Sequence, residues 1–367
     1  MDDRRILILR LSAVGDVVRT LPAVRALRKL LPSSRIAWLV EEPSKGFLES
    51  QPEVDEVLLF PRRRWSDGIR SPWTVARTFG EMLQFVRRLR KQRFDLVLDF
   101  HGIMKSGLIS FLSGAPVRIG YDRRSSKEGN FLFSNVKVSL PPGKMSRYQR
   151  NLELLKGIGL EVRYPEQGLH IPSGDRVYVE VFLNRVTYPL PRPWIAIHPG
   201  TSNRTSYKRW KPERYSQLAD RLVRELGSTI IFTWGPGEMT WAEKIQKMMT
   251  EPSLLGPRTD SLTQLGELFR RCDLYLGGDT GPMHIASMVG TPVVAIFGPT
   301  DPVVNEPFGT HRKVRKDVGC NPCRERSCRE TLCLDEVTVE EVLAAAKEML
   351  SYKGRSMDSP EDGAREQ

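Results

Sequence analysis

Six consecutive residues, Asp279-Thr280-Gly281-Pro282-Met283-His284, set a carboxylate, a hydroxyl and an imidazole at one break in the chain. The apolar run Leu274-Tyr275-Leu276 leads in, and Met283, Ile285, Ala286 and Val289 lead out at helical spacing. The break therefore reads as strand, tight turn, helix. Pro282 suits a first helical turn, and Thr280 and Gly281 leave backbone N–H groups at the positive end of the helix dipole. Such a corner suits a phosphate, and His284 is placed to contact the same anion. An ordinary turn whose glycines serve only the backbone is the competing reading. A second strand, Val293 to Phe297, ends at Gly298-Pro299-Thr300-Asp301. Two strand ends thus open beside one helix, where open α/β sheets hold their ligands.

Three further charged positions follow strand ends. Arg5 to Arg10 reads as a strand running into Ser12-Ala13-Val14-Gly15-Asp16, after which Val17, Val18, Leu21, Val24, Leu27 and Leu30 follow helical spacing. Gly15 lets the backbone turn. Asp16 stands at the helix start as an N-cap or as a base, and the residues alone leave both open. Lys208 lies in the basic segment Ser206 to Trp210, after the turn Thr201-Ser202-Asn203. Glu238 follows Gly235-Pro236-Gly237 at the start of another helix, where the dipole favours an acid. A site that holds a phosphate or diphosphate must offset its negative charge. No Asp-x-Asp motif occurs to hold a divalent ion for that purpose. Fixed charge and helix dipoles are the expected means, supplied by Lys208, the Thr201-Ser202 turn and the Thr280-Gly281 corner, so no metal cofactor is expected.

Four thiols, Cys320, Cys323, Cys328 and Cys333, crowd into GCNPCRERSCRETLC. In a reducing compartment they are a zinc candidate or free thiols in a surface loop. Cys272, at a strand start, is expected in the core.

These groups need rigid elements to carry them. In the first half the strands are Arg5 to Arg10, Arg35 to Val40, Val57 to Phe60 and Phe94 to Phe100, with a basic loop from Arg62 to Arg70 and an amphipathic helix from about Val75 to Lys91. Their ends deliver Asp16, Arg62, Arg63, Arg64, His101 and Lys105 to one rim, joined by Arg118 and Arg123-Arg124. A helical pattern from Ser173 to Tyr188 reaches a Pro-rich joint, YPLPRPW, which precedes a second series of alternating strands and helices. The expectation is two doubly wound, Rossmann-like α/β domains facing a central cleft. Their bounds are 1–172 and 194–335, with a linker over 173–193, a helix over 336–352 and a disordered tail over 353–367.

The paired signatures Gly15-Asp16 and Asp279-Thr280-Gly281-Pro282-Met283-His284 resemble those of the ADP-heptose:lipopolysaccharide heptosyltransferases, glycosyltransferase family nine, whose second half carries D-T-G-x-x-H. The resemblance spans roughly Arg5 to Glu340. It implies a GT-B-type fold, inversion at the anomeric carbon, and ADP-heptose held by the second domain. It makes Asp16 the general base and Lys208 a phosphate-binding residue, although Lys211 intrudes before Pro212 in the pattern that follows. It implies that Glu238 meets the ribose hydroxyls and that Thr259-Asp260-Ser261 borders adenine. Asp279, Thr280, Gly281 and His284, with Thr201 and Ser202, complete the donor set.

At 367 residues, 40% hydrophobic and 27% charged, the chain suits a globular protein of two domains. No run approaches the roughly 20 apolar residues of a membrane span, and the start lacks a signal peptide. A net charge of +12 asks for an acidic partner. Stacking aromatics do not accompany the basic clusters, so nucleic acid is not the expected partner. The resemblance supplies another: a phosphorylated, lipid A-linked core acceptor, bound by Arg62, Arg63, Arg64, His101, Lys105 and Arg118. The protein is then cytoplasmic and peripheral at the anionic inner-membrane face. The rival readings are a family-nine transferase with another donor or acceptor, and a non-catalytic nucleotide-binding protein of the membrane surface. The sequence leaves the oligomeric state open.

Overall fold

Ile6, Leu7, Ile8 and Leu9 are fully buried, as a parallel strand covered on both faces requires. They belong to the first of two parallel sheets in the computed structural model. It describes residues 3–162, 167–323, 325, 328 and 330–357, and of Asn203 and 352–357 the backbone only. The chain divides into two units, Met1–Glu166 and Gln167–Gln367. The first carries β1 (Arg5–Leu9), β2 (Arg35–Val40), β3 (Glu56–Leu59), β4 (Leu96–Asp99), β5 (Val117–Tyr121) and β6 (Val136–Val138) in the order β3-β2-β1-β4-β5-β6. The second carries β7 (Trp194–His198), β8 (Thr229–Phe232), β9 (Leu254–Leu255), β10 (Leu274–Gly278), β11 (Val293–Phe297) and β12 (His311–Arg315) in the order β12-β11-β10-β7-β8-β9.

Counted from its own first strand, each sheet runs 3-2-1-4-5-6, the doubly wound arrangement. The order reverses between β1 and β4 and again between β7 and β10, and loops at such a reversal splay apart to leave a crevice. Helices cover the faces. In the first unit Trp65, Leu89 and Ile109 close over Leu7 and Leu9. In the second, Trp210, Tyr215, Leu218 and the last helix pack on Ile195, Leu274 and Val294. Each fully buried Leu, Ile or Phe side chain contributes about 1.5–3 kcal/mol of transfer free energy.

The strands expected from Arg5, Arg35, Val57, Phe94, Leu274 and Val293 fall within a residue or two of their places, whereas β5, β6, β9 and β12 are not anticipated, and two further segments differ. Arg62–Ile69 is a helix, not a basic loop; Trp65 and Ile69 are one turn apart, and Trp65 packs edge-on to Phe60 and Phe85 at 5.2 and 5.3 Å. The first helix starts earlier, at Val14, with Ala13 at its N-cap. The helical pattern expected from Ser173 is the helix Ser173–Asn184, and its Asp175 accepts from Ser261 Oγ at 3.1 Å and Gln264 Nε2 at 3.1 Å, which ties this stretch into the second unit. The unit division at 166 precedes the expected boundary at 172. The last helix is Val339–Met357; of the expected tail, 358–367 lie outside the described residues.

Candidate functional site

At the first reversal, the chain leaving β1 places Asp16 in the first turn of helix Val14–Val18. The N-cap position belongs to Ala13, not to Asp16. Arg10 Nη2 meets Oδ2 at 2.6 Å, Arg19 Nη2 meets Oδ1 at 2.5 Å, and Arg147 Nε lies 3.6 Å from Oδ1. Burial alone would raise the Asp16 pKa, but the three guanidiniums, Arg10 foremost, hold it far below the usual carboxylate range. Arg10 is itself pinned, donating through Nη1 to Phe100 O at 2.9 Å. The N-cap alternative for Asp16 is thus replaced by a charge cluster.

From β4, Asp99 is fully buried and accepts from His101 N, Gly102 N, Ser106 Oγ and Asn130 Nδ2 at 2.7–3.1 Å. Burial pushes its pKa up against those bonds. Asp99 shapes the turn that delivers His101 and Lys105. His101 Nδ1 accepts from Leu11 N at 3.3 Å. Burial, then Arg10, lowers its pKa to about 3, with Asp16 opposing, so its ring is neutral near neutrality. Lys105 Nζ and Arg62 Nη1 share Glu41, at 3.1 and 3.5 Å, and Lys105 lies 5.3 Å from the centre of the Phe60 ring.

Asp16, His101, Lys105 and Arg62 therefore all follow C-terminal strand ends of one sheet. Arg64 turns to Glu81 at 2.5 Å, and Arg63 is exposed on the same helix. Arg118 sits at the start of β5, at the opposite end of the strands. There it donates to Phe133 O at 3.0 Å and Ala115 O at 2.8 Å, so the structure does not bring it to the rim.

The second unit gathers its groups in the same topological position. Lys208 ends the 3₁₀ helix Asn203–Lys208 after β7, and its Nζ reaches Asp279 Oδ2 at 3.1 Å, just past β10. Helix Gly281–Met288 begins beside them, its N-cap Thr280 extended and without a side-chain cap bond. Its first N–H groups are thus left to another acceptor. His284 is buried on this helix, 4.0 Å from Asp279 Oδ1.

Glu238 bridges the loops after β7 and β8. Its Oε2 accepts from Gly235 N at 3.0 Å and lies 3.3 Å from His198 Nε2. Burial raises its pKa, but His198, Gly235 N and Arg209 bring it below the usual value. The acid is not simply a dipole partner for its helix. Gly200 gives the carboxylate its room, because a Cβ there would overlap Glu238 Oε2 and force the acid to shift. Thr201 is buried and bonded to Arg209, whose guanidinium lies 5.1 Å from the Trp241 ring centre. Ser202 pairs with Thr205 at 2.9 Å. Asp260 forms an exposed pair with Arg258 at 3.1 Å.

The four loop cysteines lie close enough to interact, since burial and then Cys320, Cys323 and Cys328 raise the Cys333 pKa. Cys320 is exposed, Cys323 and Cys328 half-buried and Cys333 buried, all as free thiols. Among the described residues no group of three or more His, Cys, Asp or Glu could hold a metal ion. Cys272 is in the core.

Arg10, Arg19, Arg147, Glu41, His198 and Arg209 escaped the sequence reading. Arg19, three residues after Asp16 on a helix, carried a usable signal in its spacing; Arg147 and Glu41 are contacts across the fold and carried none.

A family model described as glycosyltransferase family 9 (heptosyltransferase) matches residues 82–334. The chain is 28% identical over 306 residues to the lipopolysaccharide core heptosyltransferase OpsX of Haemophilus influenzae, covering 82% of this chain and 81% of that one. It is 27% identical over 349 residues to lipopolysaccharide heptosyltransferase 1 of Pseudomonas aeruginosa, covering 88% and 87%. Among solved structures it is similar to a family 9 glycosyl transferase from Veillonella parvula, with TM-score 0.76, 22% identity and coverage of 96% and 98%. E. coli heptosyltransferase WaaC with ADP superposes with TM-score 0.71 at 23% identity, covering 94% and 99%. The two parallel sheets and these likenesses make the fold GT-B.

Proposed function

The chain belongs to glycosyltransferase family 9 and is a glycosyltransferase; from that premise we propose that it moves a heptose from ADP-heptose to the lipid A-linked inner core of lipopolysaccharide, inverting and without a metal. The observation that carries this reading is Lys208 beside Asp279 and the uncapped start of helix Gly281–Met288, at the reversal of the second sheet. Cation and helix dipole together suit a diphosphate.

In the reaction, an acceptor hydroxyl held by the first unit attacks the anomeric carbon of the donor held by the second. The new C–O bond forms as the bond to the β-phosphate oxygen breaks, and that oxygen leaves with the electron pair on ADP. Lys208 and the first-turn N–H groups take up the charge. The hydroxyl proton passes to Asp16. Its low pKa does not disqualify it, because the attacking oxygen becomes a strong acid as it bonds to carbon, and a carboxylate ionised at every working pH is always ready to accept. Glu238 accepts from the ribose hydroxyls, the Thr259 to Ser261 loop borders adenine, and Asp279 and His284 orient the sugar phosphate. Arg62, Arg63, Lys105 and neutral His101 face the acceptor's phosphates and carboxylates, at the cytoplasmic side of the inner membrane.

Calorimetry with ADP, UDP, GDP and CMP tests the donor half: ADP is expected to bind tightest, and a preference for UDP or GDP refutes the assignment. Turnover is expected to persist in excess EDTA. Loss on chelation with recovery on adding magnesium sinks the metal-free leaving-group argument.

A further inference from the structure

We propose that the outer face of three helices in the first unit, Arg62–Ile69, Val75–Lys91 and Met104–Leu112, docks the protein on an anionic lipid bilayer. The helices lie side by side on one face of the sheet, joined through Trp65, Leu89 and Ile109. Arg90 Nε donates to Leu112 O at 3.0 Å across two of them.

Two of the three outer faces carry apolar stripes where water-facing helices are polar, and the third, Arg62–Ile69, exposes arginines with Ile69. On Met104–Leu112, Ser106 and Ser110 are fully buried while Met104, Leu108 and Phe111 are 52%, 44% and 51% exposed. Those three sit at positions i, i+4 and i+7, a single stripe. On Val75–Lys91, Thr78 is buried beside Gly68 of the preceding helix and Leu89 in the core under the sheet, while Phe79 and Leu83 are 55% and 59% exposed. Trp73, in the turn before that helix, is 94% exposed. Individual exposed apolar residues mean little, but adjoining stripes mark a partner.

Charge selects which partner. Residues 62–91 carry nine Arg or Lys and only Asp67 and Glu81 against them. The whole net charge of +12 resides in 1–166, and 167–367 sum to zero. Apolar stripes bordered by guanidiniums suit a bilayer surface, where Trp, Phe and Leu enter the headgroup boundary and the cations meet lipid phosphates. A second copy of this chain would bring an equally positive face and be repelled. The docking surface deepens the reading of a lipid-linked acceptor, and it rests on that reading only for its purpose.

The test is co-sedimentation of the full chain with acceptor-free vesicles of phosphatidylcholine, with and without phosphatidylglycerol. Two double variants are compared, Phe79→Ser with Leu83→Ser, and Arg87→Gln with Lys91→Gln, alongside calorimetry of ADP. The wild type is expected on the anionic vesicles only. Partition is expected to fall about tenfold for each apolar side chain removed and about fivefold for each charge, with ADP affinity unchanged. Equal binding to neutral vesicles, or variants that bind like the wild type, overturns the proposal. So does self-association that the Phe79→Ser, Leu83→Ser variant abolishes without any vesicle binding, which assigns the face to a second copy. Vesicle binding that behaves as expected in a protein that fails to bind ADP supports the surface and refutes only the donor assignment.

Discussion

Replacing Asp16 by Asn separates two roles that its surroundings entangle. Arg10 and Arg19 are nearly buried, at 6% and 7% side-chain exposure, and both close on Asp16, which is itself 17% exposed. Asn keeps a hydrogen-bond acceptor but removes the charge. Stranding a buried ion from its partner costs about 3–5 kcal/mol. For a unit the size of Met1–Glu166, that lowers its unfolding midpoint by roughly 6–20 °C, at about 2–4 °C per kcal/mol. The pH dependence has a definite sign. The folded pKa of Asp16 is depressed, so the stabilisation is complete above the unfolded value of about 3.9. It shrinks as pH falls below that value toward the folded pKa, because the unfolded carboxylate then takes up a proton that the folded one refuses. Thermal unfolding of both proteins across pH, with turnover normalised to folded protein and ADP affinity by calorimetry, is the assay. A base predicts turnover down by about 10²–10⁴ with ADP affinity kept. Normal turnover per folded molecule refutes the catalytic role, and a stability gap that vanishes near neutral pH refutes the three-arginine account.

Lys208→Gln is expected to weaken ADP by about 10–100-fold, the loss of one charge-assisted bond of about 1.5–3 kcal/mol; calorimetry reading less than threefold places the diphosphate elsewhere. Reversing Arg62 and Arg63 to Glu is expected to raise the acceptor KM and leave ADP binding unchanged, and equal losses for both substrates show that the rim is misplaced. His101 has a folded pKa of about 3, below its unfolded value of about 6.5. The wild type should therefore lose stability as pH falls from the unfolded value toward the folded one, and His101→Asn should flatten that slope in pH-jump denaturation.

The strands were legible because they are buried on both faces: Ile6 to Leu9 and Val293 to Phe297 form apolar runs too short for helices and bounded by turn residues. The strand-turn-helix corner from Asp279 to His284 was legible for a related reason, since its residues are contiguous and local backbone chemistry defines them. Asp16 was found while its environment was not. Arg10 closes an apolar strand and would ordinarily face solvent, yet the main chain of Phe100 and the carboxylate of Asp16 hold it buried. Such pairings depend on where β4 and the helix Arg147–Lys156 come to rest, which no local pattern encodes. Arg62–Ile69 was misread because its polar majority hides the Trp65 and Ile69 pair. Arg118 was misread because strand direction, not charge, decides which end of β5 it occupies.

Gly200 and Glu238 have a consequence for how this protein can change over time. The carboxylate occupies the volume in which a Cβ at position 200 would begin, so the two positions are energetically coupled. An alanine at 200 would push the Glu238 carboxylate away from Gly235 N and His198, a shorter acid at 238 would relieve that, and the double-mutant cycle of Gly200→Ala with Glu238→Asp should show a favourable interaction energy. A change at either position is thus felt at the other, because a single step leaves an overlap or a gap between the loops after β7 and β8.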